Sequence, residues 1–339
     1  MNAVQIQLHN PTPFVPLQFE SVDAKLNHFG VVVLRGTFDI VNGQLLQLSR
    51  QQTTMVLEDQ YYGDPLCSSL RQDSCMAPYK PATDLLIEAT AYSPSGRPED
   101  GWKCEVRAGE LHKAFRVTGK RTWRKGPLGY RLSSIEPVST VPIRYELAYG
   151  GTSFTKPDDR WADNPVGTGF DGSGDAEVVC PQVLPVNVDS PRYGERIASE
   201  GLTPIAPSWQ SRLRHAGTFD PSWVAERAPY LPADFSYEFY NVASPGLTFP
   251  GFAAGDEVFQ LTNLSDDHNL TFQLPGIELI AIMSFTDGRI VPGPMNLDTI
   301  ELLIEERQAV LHWRGIYPAH LPISDIELQM DAPAYLIEN

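Results

Sequence analysis

Apolar residues along this chain recur mostly at every second position, the spacing of a half-buried strand. HFGVVVLRGTFDI (28–40) is a β-branched run, and Asn42-Gly43 followed by QLLQLS predicts a two-residue hairpin. DLLIEATAYSP (84–94) places Leu85, Ile87 and Ala89 on one face. WKCEVRAGELHKAFRVTGKRTWRK (102–125) reads as a meander broken at Gly109, and VPIRYELAYG (141–150) as a closing strand. Beyond residue 250, DEVFQLTNLSDDHNLTFQLPG predicts a hairpin, IELIAIMSFTDGRIVPG a second around Asp287-Gly288, and TIELLIEERQAVLHWRG a pair of strands around Glu306. In that last strand Ala309, Leu311 and Trp313 share one face, and His312 and Arg314 the other. SDIELQM supplies the C-terminal strand.

The middle of the chain breaks this alternation. Residues 151–249 are rich in glycine and proline, and only two short helices are expected there, in 206–217 and 220–232. The second opens with Asp220 as N-cap and Pro221 at the first helical position, and Pro229 stops it. The expected architecture is therefore mainly β. Two sandwich-like lobes of mostly antiparallel strands (1–150 and 250–339) flank a loop-rich segment with short helices. The 339-residue length, above what one core usually serves, fits two lobes.

A net charge of −16 argues against a nucleic-acid partner, because an acidic surface repels phosphate. GKRTWRKG (119–126) is a local basic exception, read as a solvated hairpin end, with anion docking as the other option. The four cysteines, Cys67, Cys75, Cys104 and Cys180, form no CxxC pair and point to a reducing compartment. The N-terminus has no signal-peptide pattern, and no stretch nears the ~18 apolar residues of a membrane span, so a cytoplasmic protein without membrane insertion is expected.

The search for chemistry returns little. No two of the seven histidines are spaced i, i+3 or i, i+4, so no helical metal pair exists. Asp266-Asp267-His268 is the one acidic-histidine cluster, and it falls in a predicted turn. The adjacent carboxylates Asp158-Asp159, Asp266-Asp267 and Glu305-Glu306 point to opposite faces when extended. GTGFDG (167–172) has the spacing of a dinucleotide loop, with Asp189 about 20 residues on. Its flanks, broken by Pro157, Pro165 and Pro181, provide neither the strand nor the helix that would hold a pyrophosphate. Gly167 and Gly169 are therefore expected to shape a structural loop with Asn164 and Pro165. No cofactor, metal or catalytic residue is assigned, and the protein is expected not to be an enzyme.

One composition signal remains. Ten of the 44 residues from 209 to 252 are aromatic, against 10% for the chain. Trp209, Trp223, Tyr230, Phe235, Tyr237, Phe239 and Tyr240 are the candidate partner-binding residues, since exposed aromatics anchor interfaces. The competing reading is that they pin irregular backbone to the sheets.

The strings GVVVLRGTFDI, YYGDPLCSSLRQDSCMAPYKPATDLLI, VTGKRTW, IRYELAYGG, NPVGTGF, GLTPIAPSWQSRLRHAGTFDPSWVAERAPYLPADFSYEFYN and LPG follow in that order. Together, from about Pro11 to about Trp313, they resemble a bacterial domain-of-unknown-function family encoded beside type VI secretion effector genes. The resemblance implies a cytoplasmic effector adaptor or chaperone. Its partners would be a secreted effector, a PAAR-type tip protein or the VgrG spike. It carries no catalytic residues to transfer, and it leaves the effector and the oligomeric state open. The alternative is a carbohydrate-binding or hydrolytic β-sandwich with an aromatic-lined cleft.

Overall fold

A computed structural model describes residues 6–153, 159–170, 177–319 and 321–332. The protein is mainly β, and the two α-helices among the described residues are short (Gln210–Leu213 and Pro221–Glu226). The larger sheet runs in the order Gln7–His9, Ile323–Asp331, Glu278–Phe285, Ile290–Leu303, Gln308–Pro318, His28–Asp39, Val15–Val22. Asp84–Glu88 lies parallel to the last residues of the 290–303 strand, with Leu85 opposite Ile300. The second sheet orders Val183–Pro185, Leu111–Thr118, Gly101–Ala108, Val258–Thr262, Asn269–Gln273 and Gln44–Leu45.

The segments 1–150 and 250–339 interleave in both sheets. The 28–39 strand pairs with 308–318, and 101–108 pairs with 258–262. One apolar core takes Leu34, Phe38 and Trp313 from the first sheet and Cys104, Phe115 and Phe259 from the second. The limits at 150 and 250 thus mark changes in regularity along the chain, while in space the two halves share their sheets.

Two local expectations give way to other pairings. At Asn42-Gly43 the chain does turn, but Gln44–Leu45 joins the edge of the second sheet parallel to 269–273. Only Gln47–Leu48 returns to pair with Phe38 and Asp39. In 141–150 the strand stops after Pro142, and Tyr145–Leu147 forms a 3-10 turn. The turn drops the Tyr145 ring into the core, edge-to-face on Trp209 at 4.9 Å. The hairpins at 258–273 and 278–303 and the strands flanking Glu306 form as the alternation predicts.

The centre of the larger sheet, in the 28–39 and 308–318 strands and the end of 290–303, is buried on both faces. Val32, Leu34, Leu311 and Trp313 face the apolar core, and the Trp313 ring stacks on Phe14 at 5.1 Å. The opposite face carries Arg35, Thr37, Glu301, His312 and Arg314, all at most 5% exposed. It is covered by the irregular stretch between residues 49 and 83. Backbone without a sheet partner needs other donors and acceptors, and side chains provide them. Gln52 bonds both the N–H and the carbonyl of Thr37, Arg35 donates to Thr54 O (2.7 Å), and Arg314 donates to Cys75 O (3.2 Å).

Candidate functional site

The polar face of the sheet is a chain of buried ion pairs. Glu301 Oε2 accepts from Arg35 (3.1 Å) and Gln72 (3.2 Å), and His312 Nε2 lies 3.6 Å away. Arg314 Nε donates to Asp298 (2.5 Å). Lys80 donates to Asp84 and to Thr299, both at 3.0 Å. Beyond it, Arg212 faces Asp73 at 3.5 Å. Burial opposes charge on Glu301, but the adjoining His312 and Arg35 outweigh it and pull the carboxyl down to about 2. Burial likewise opposes charge on His312, and Cys75 and Glu301 outweigh it, lifting the imidazole to about 9. Asp73 moves the other way: burial raises it to about 6 despite Lys80 and Arg212.

Cys75 Sγ sits 4.0 Å from His312 Nδ1, so sulfur, imidazole and the Glu301 carboxylate stand in line. The order is that of a thiol relay, and no sequence signal assigned it. The residue is 2% exposed, however, and the void beside His312 measures about 10 Å³, room for a single water. The arrangement as folded is a sealed strut, with no path for a substrate to sulfur. The available signal was Arg35, Glu301, His312 and Arg314 at matching parity in otherwise apolar strands.

The network also fixes the aromatic segment. Arg212 donates to the carbonyls of Ile205 (2.9 Å) and Phe239 (3.0 Å), and its guanidinium lies 4.8 Å from the centre of the Phe239 ring. Phe235, Tyr237, Phe239 and Tyr240 pack on one another at 5.6–6.2 Å. Trp223 packs on Phe219 at 4.8 Å and donates to Tyr230 O at 2.9 Å. The second helix is capped as expected, with Trp223 N–H donating to Asp220 (2.8 Å). Trp209, at 3% exposed, belongs to the core and is removed from the contact residues. Its ring is the pin that the competing reading described.

Tyr237 meets elements that the sequence did not bring together. Its ring stands at 86° to Tyr79, centroids 5.4 Å apart. The two rings border a groove of about 470 Å³ with Phe29, Ile316, Tyr317 and Pro318, and Asp23, Asn27 and His28 line it as well. Phe29 lies opposite Pro318 at the end of the polar face, where the network stops. The loop before the 28–39 strand is held against the aromatic segment by Arg227, which donates to Ala24 O (2.6 Å).

The loop predicted from NPVGTGF is a lock. Asn164 Nδ2 donates to Tyr145 O (2.8 Å) and Tyr149 O (3.1 Å), and Tyr149–Gly150 runs parallel to Thr168–Gly169. The N–H groups of Gly167, Thr168 and Phe170 donate to Asn164, Ala148 and Gly150 carbonyls. A phosphate loop needs those donors free; here they close backbone on backbone. Asp189 pairs with Arg116 at 3.0 Å. Asp171 and Gly172, like Asp158 and His320, lie outside the described residues. Asp266 and Asp267 both pair with Arg307 in the expected turn. Among the described residues no group of three or more His, Cys, Asp or Glu is placed to hold a metal ion, and no helix is long and apolar enough to cross a membrane. In the basic stretch, Arg124 pairs with Glu177 (3.3 Å), Arg121 donates to Ser133 O, and Trp123 is buried.

A family described as uncharacterized protein conserved in bacteria (DUF2169) matches residues 26–314. The chain belongs to the DUF2169 family. No curated protein and no solved structure matches it. The matched span of this DUF2169 protein includes the ionic network, the Asn164 lock, Tyr79 and Tyr237, and it ends just before Ile316.

The network sets the pH response of this DUF2169 protein. A folded-state His312 raised to about 9 stabilises the protein fully below its ordinary 6.5, and that contribution is lost as pH rises through 9. Against the burial that raises it, the same imidazolium lowers the Cys75 thiol. Glu301, lowered to about 2, contributes above its ordinary 4.5. Urea unfolding is expected to give a plateau between those ordinary values and a loss of about 2 kcal/mol on the alkaline side. A His312→Gln variant is expected to flatten that alkaline slope; an unchanged slope places the titration elsewhere.

Proposed function

We propose that the protein is a non-enzymatic adaptor or chaperone of the type VI secretion system. It holds a cognate effector, or the PAAR-type tip protein carrying it, in the cytoplasm and helps load it onto the VgrG spike. The observation that carries this reading is the exposed apolar surface of the aromatic segment. The Pro221–Glu226 helix buries no residue, and Phe219, Val224 and Tyr230 are 58%, 63% and 43% exposed. A rigid platform that leaves such side chains to solvent is a place for a protein partner. The class of partner is what the resemblance read in the sequence implies.

The carbohydrate or hydrolase alternative asks for tryptophans and paired carboxylates converging on a cleft. Four of the six tryptophans, Trp102, Trp123, Trp209 and Trp313, are at most 4% exposed, and none lines the aromatic groove. The adaptor reading is the better supported of the two.

Co-expression with the products of the neighbouring genes, followed by pull-down and size-exclusion chromatography, is expected to give a stable complex. A Phe219→Ser/Tyr230→Ser variant is expected to keep its unfolding midpoint and lose at least about tenfold in affinity. Undiminished effector secretion after clean deletion of the gene sinks the proposal.

A further inference from the structure

The geometry points to the groove between Tyr79 and Tyr237 as a socket for a basic side chain, lysine or arginine, presented by the partner protein. This deepens the adaptor reading and rests on it for the identity of the partner, while the chemistry of the socket stands on its own residues.

Two rings at 86° form the corner of a box, a poor platform for a flat stacked ligand and a good one for a compact cation. Each ring presents a negative face or a partly positive edge depending on its tilt, and a corner lets a cation meet a face. Phe29 adds a third ring. Ile316, 51% exposed, and Pro318 offer the apolar bed that the methylene stem of such a side chain needs.

Charge at the rim has the complementary sign. Asp23 lines the groove, and its carboxylate accepts from the backbone of Lys25 and Asn27, which fixes it in place. Burial and Asp23 together raise the Tyr237 phenol, and burial raises Tyr317, with Glu20 adding to it. Both carboxylates therefore act on groove residues. Of the nearby cations, Arg227 is spent on Ala24 O and Leu231 O (3.0 Å), and the exposed Lys25 offsets part of the Asp23 charge. The net charge of −16 adds long-range attraction for a basic segment.

The test titrates the full chain with N-acetyl-lysine methylamide, N-acetyl-arginine methylamide and the neutral N-acetyl-norleucine methylamide, reading the ring resonances of Tyr79 and Tyr237 by NMR. The cationic probes are expected to bind about threefold to tenfold more tightly than norleucine. Asp23→Asn, at a half-buried position in the loop, is expected to remove most of that preference. Tyr237→Leu is expected to remove the rest, and Tyr79→Leu serves if that variant fails to fold. Equal binding of norleucine, or no response from any probe, overturns the socket. Effector capture that persists while the probes fail overturns the socket alone. Probe selectivity with no effector capture leaves the socket and overturns the adaptor reading.

Discussion

Glu301→Ala is expected to destabilise the protein by about 3–5 kcal/mol, because it strips the counter-charge from a buried guanidinium. Arg35 is 2% exposed and has Glu301 as its carboxylate partner at 3.1 Å, and His312 leans on the same oxygen. With the carboxylate gone, the guanidinium stays buried without a counter-charge, and the imidazole loses one of the groups that keep it protonated. Arg35 retains only Thr54 O, and its Nε already has no partner. A paired replacement, Arg35→Met with Glu301→Leu, is expected to cost far less, since it removes the charges along with the bond. Urea unfolding of the three proteins checks this. A Glu301→Ala midpoint within error of the parent shows that the network contributes nothing to stability.

Asn164→Ala carries the second large effect, about 1–3 kcal/mol, for two buried hydrogen bonds lost together. The side chain has no exposed surface, and its Nδ2 donates to two carbonyls, so the alanine variant loses both bonds and leaves Tyr145 O with only the Ala148 N–H and Tyr149 O with only the Ser199 hydroxyl. Asn164→Asp is expected to be no better. It keeps the shape but turns donors into acceptors and places charge on Oδ1, an atom with no partner. The surroundings leave no room for a side chain on either neighbouring glycine. A Cβ on Gly167 would stand 2.4 Å from Nδ2, and one on Gly150 would stand 2.1 Å from the Asn164 carbonyl oxygen. Hydrogen exchange at the N–H groups of Gly151 and Thr168 reads the lock directly. Protection that survives in Asn164→Ala shows that the backbone pairing stands without the side chain.

Strands were legible where the local pattern alone decides them. The β-branched run at 28–39, the alternation in 258–273 and the turn around Glu306 all became the elements that their periodicity predicts. What a strand pairs with was not legible. Asp84–Glu88 lies beside Thr299–Leu303, over two hundred residues away, and nothing in either string names the other. The turn at Asn42-Gly43 shows the same limit, since its geometry was right and its partner strand was in the other sheet. Burial of His312 and Arg314 was hidden because alternation separates faces without saying which is wet. The aromatic segment divides on the same point: composition put Trp209 and Tyr237 together, while packing sent one inward and the other to a groove. Phe29 and Tyr79 escaped notice because each is a lone aromatic until the fold sets it beside Tyr237.

The interleaving of early and late strands has a consequence for synthesis. The 28–39 strand is flanked by 15–22 as soon as it emerges, but its other neighbour is 308–318. At ribosomal speed that edge waits on the order of tens of seconds for its partner. During the wait the run VVVLRGTF exposes both an unpaired backbone and the faces that later become core and ion network. The chain thus passes through an interval in which its own longest β-branched run is open to mispairing before the strand that covers it has been made.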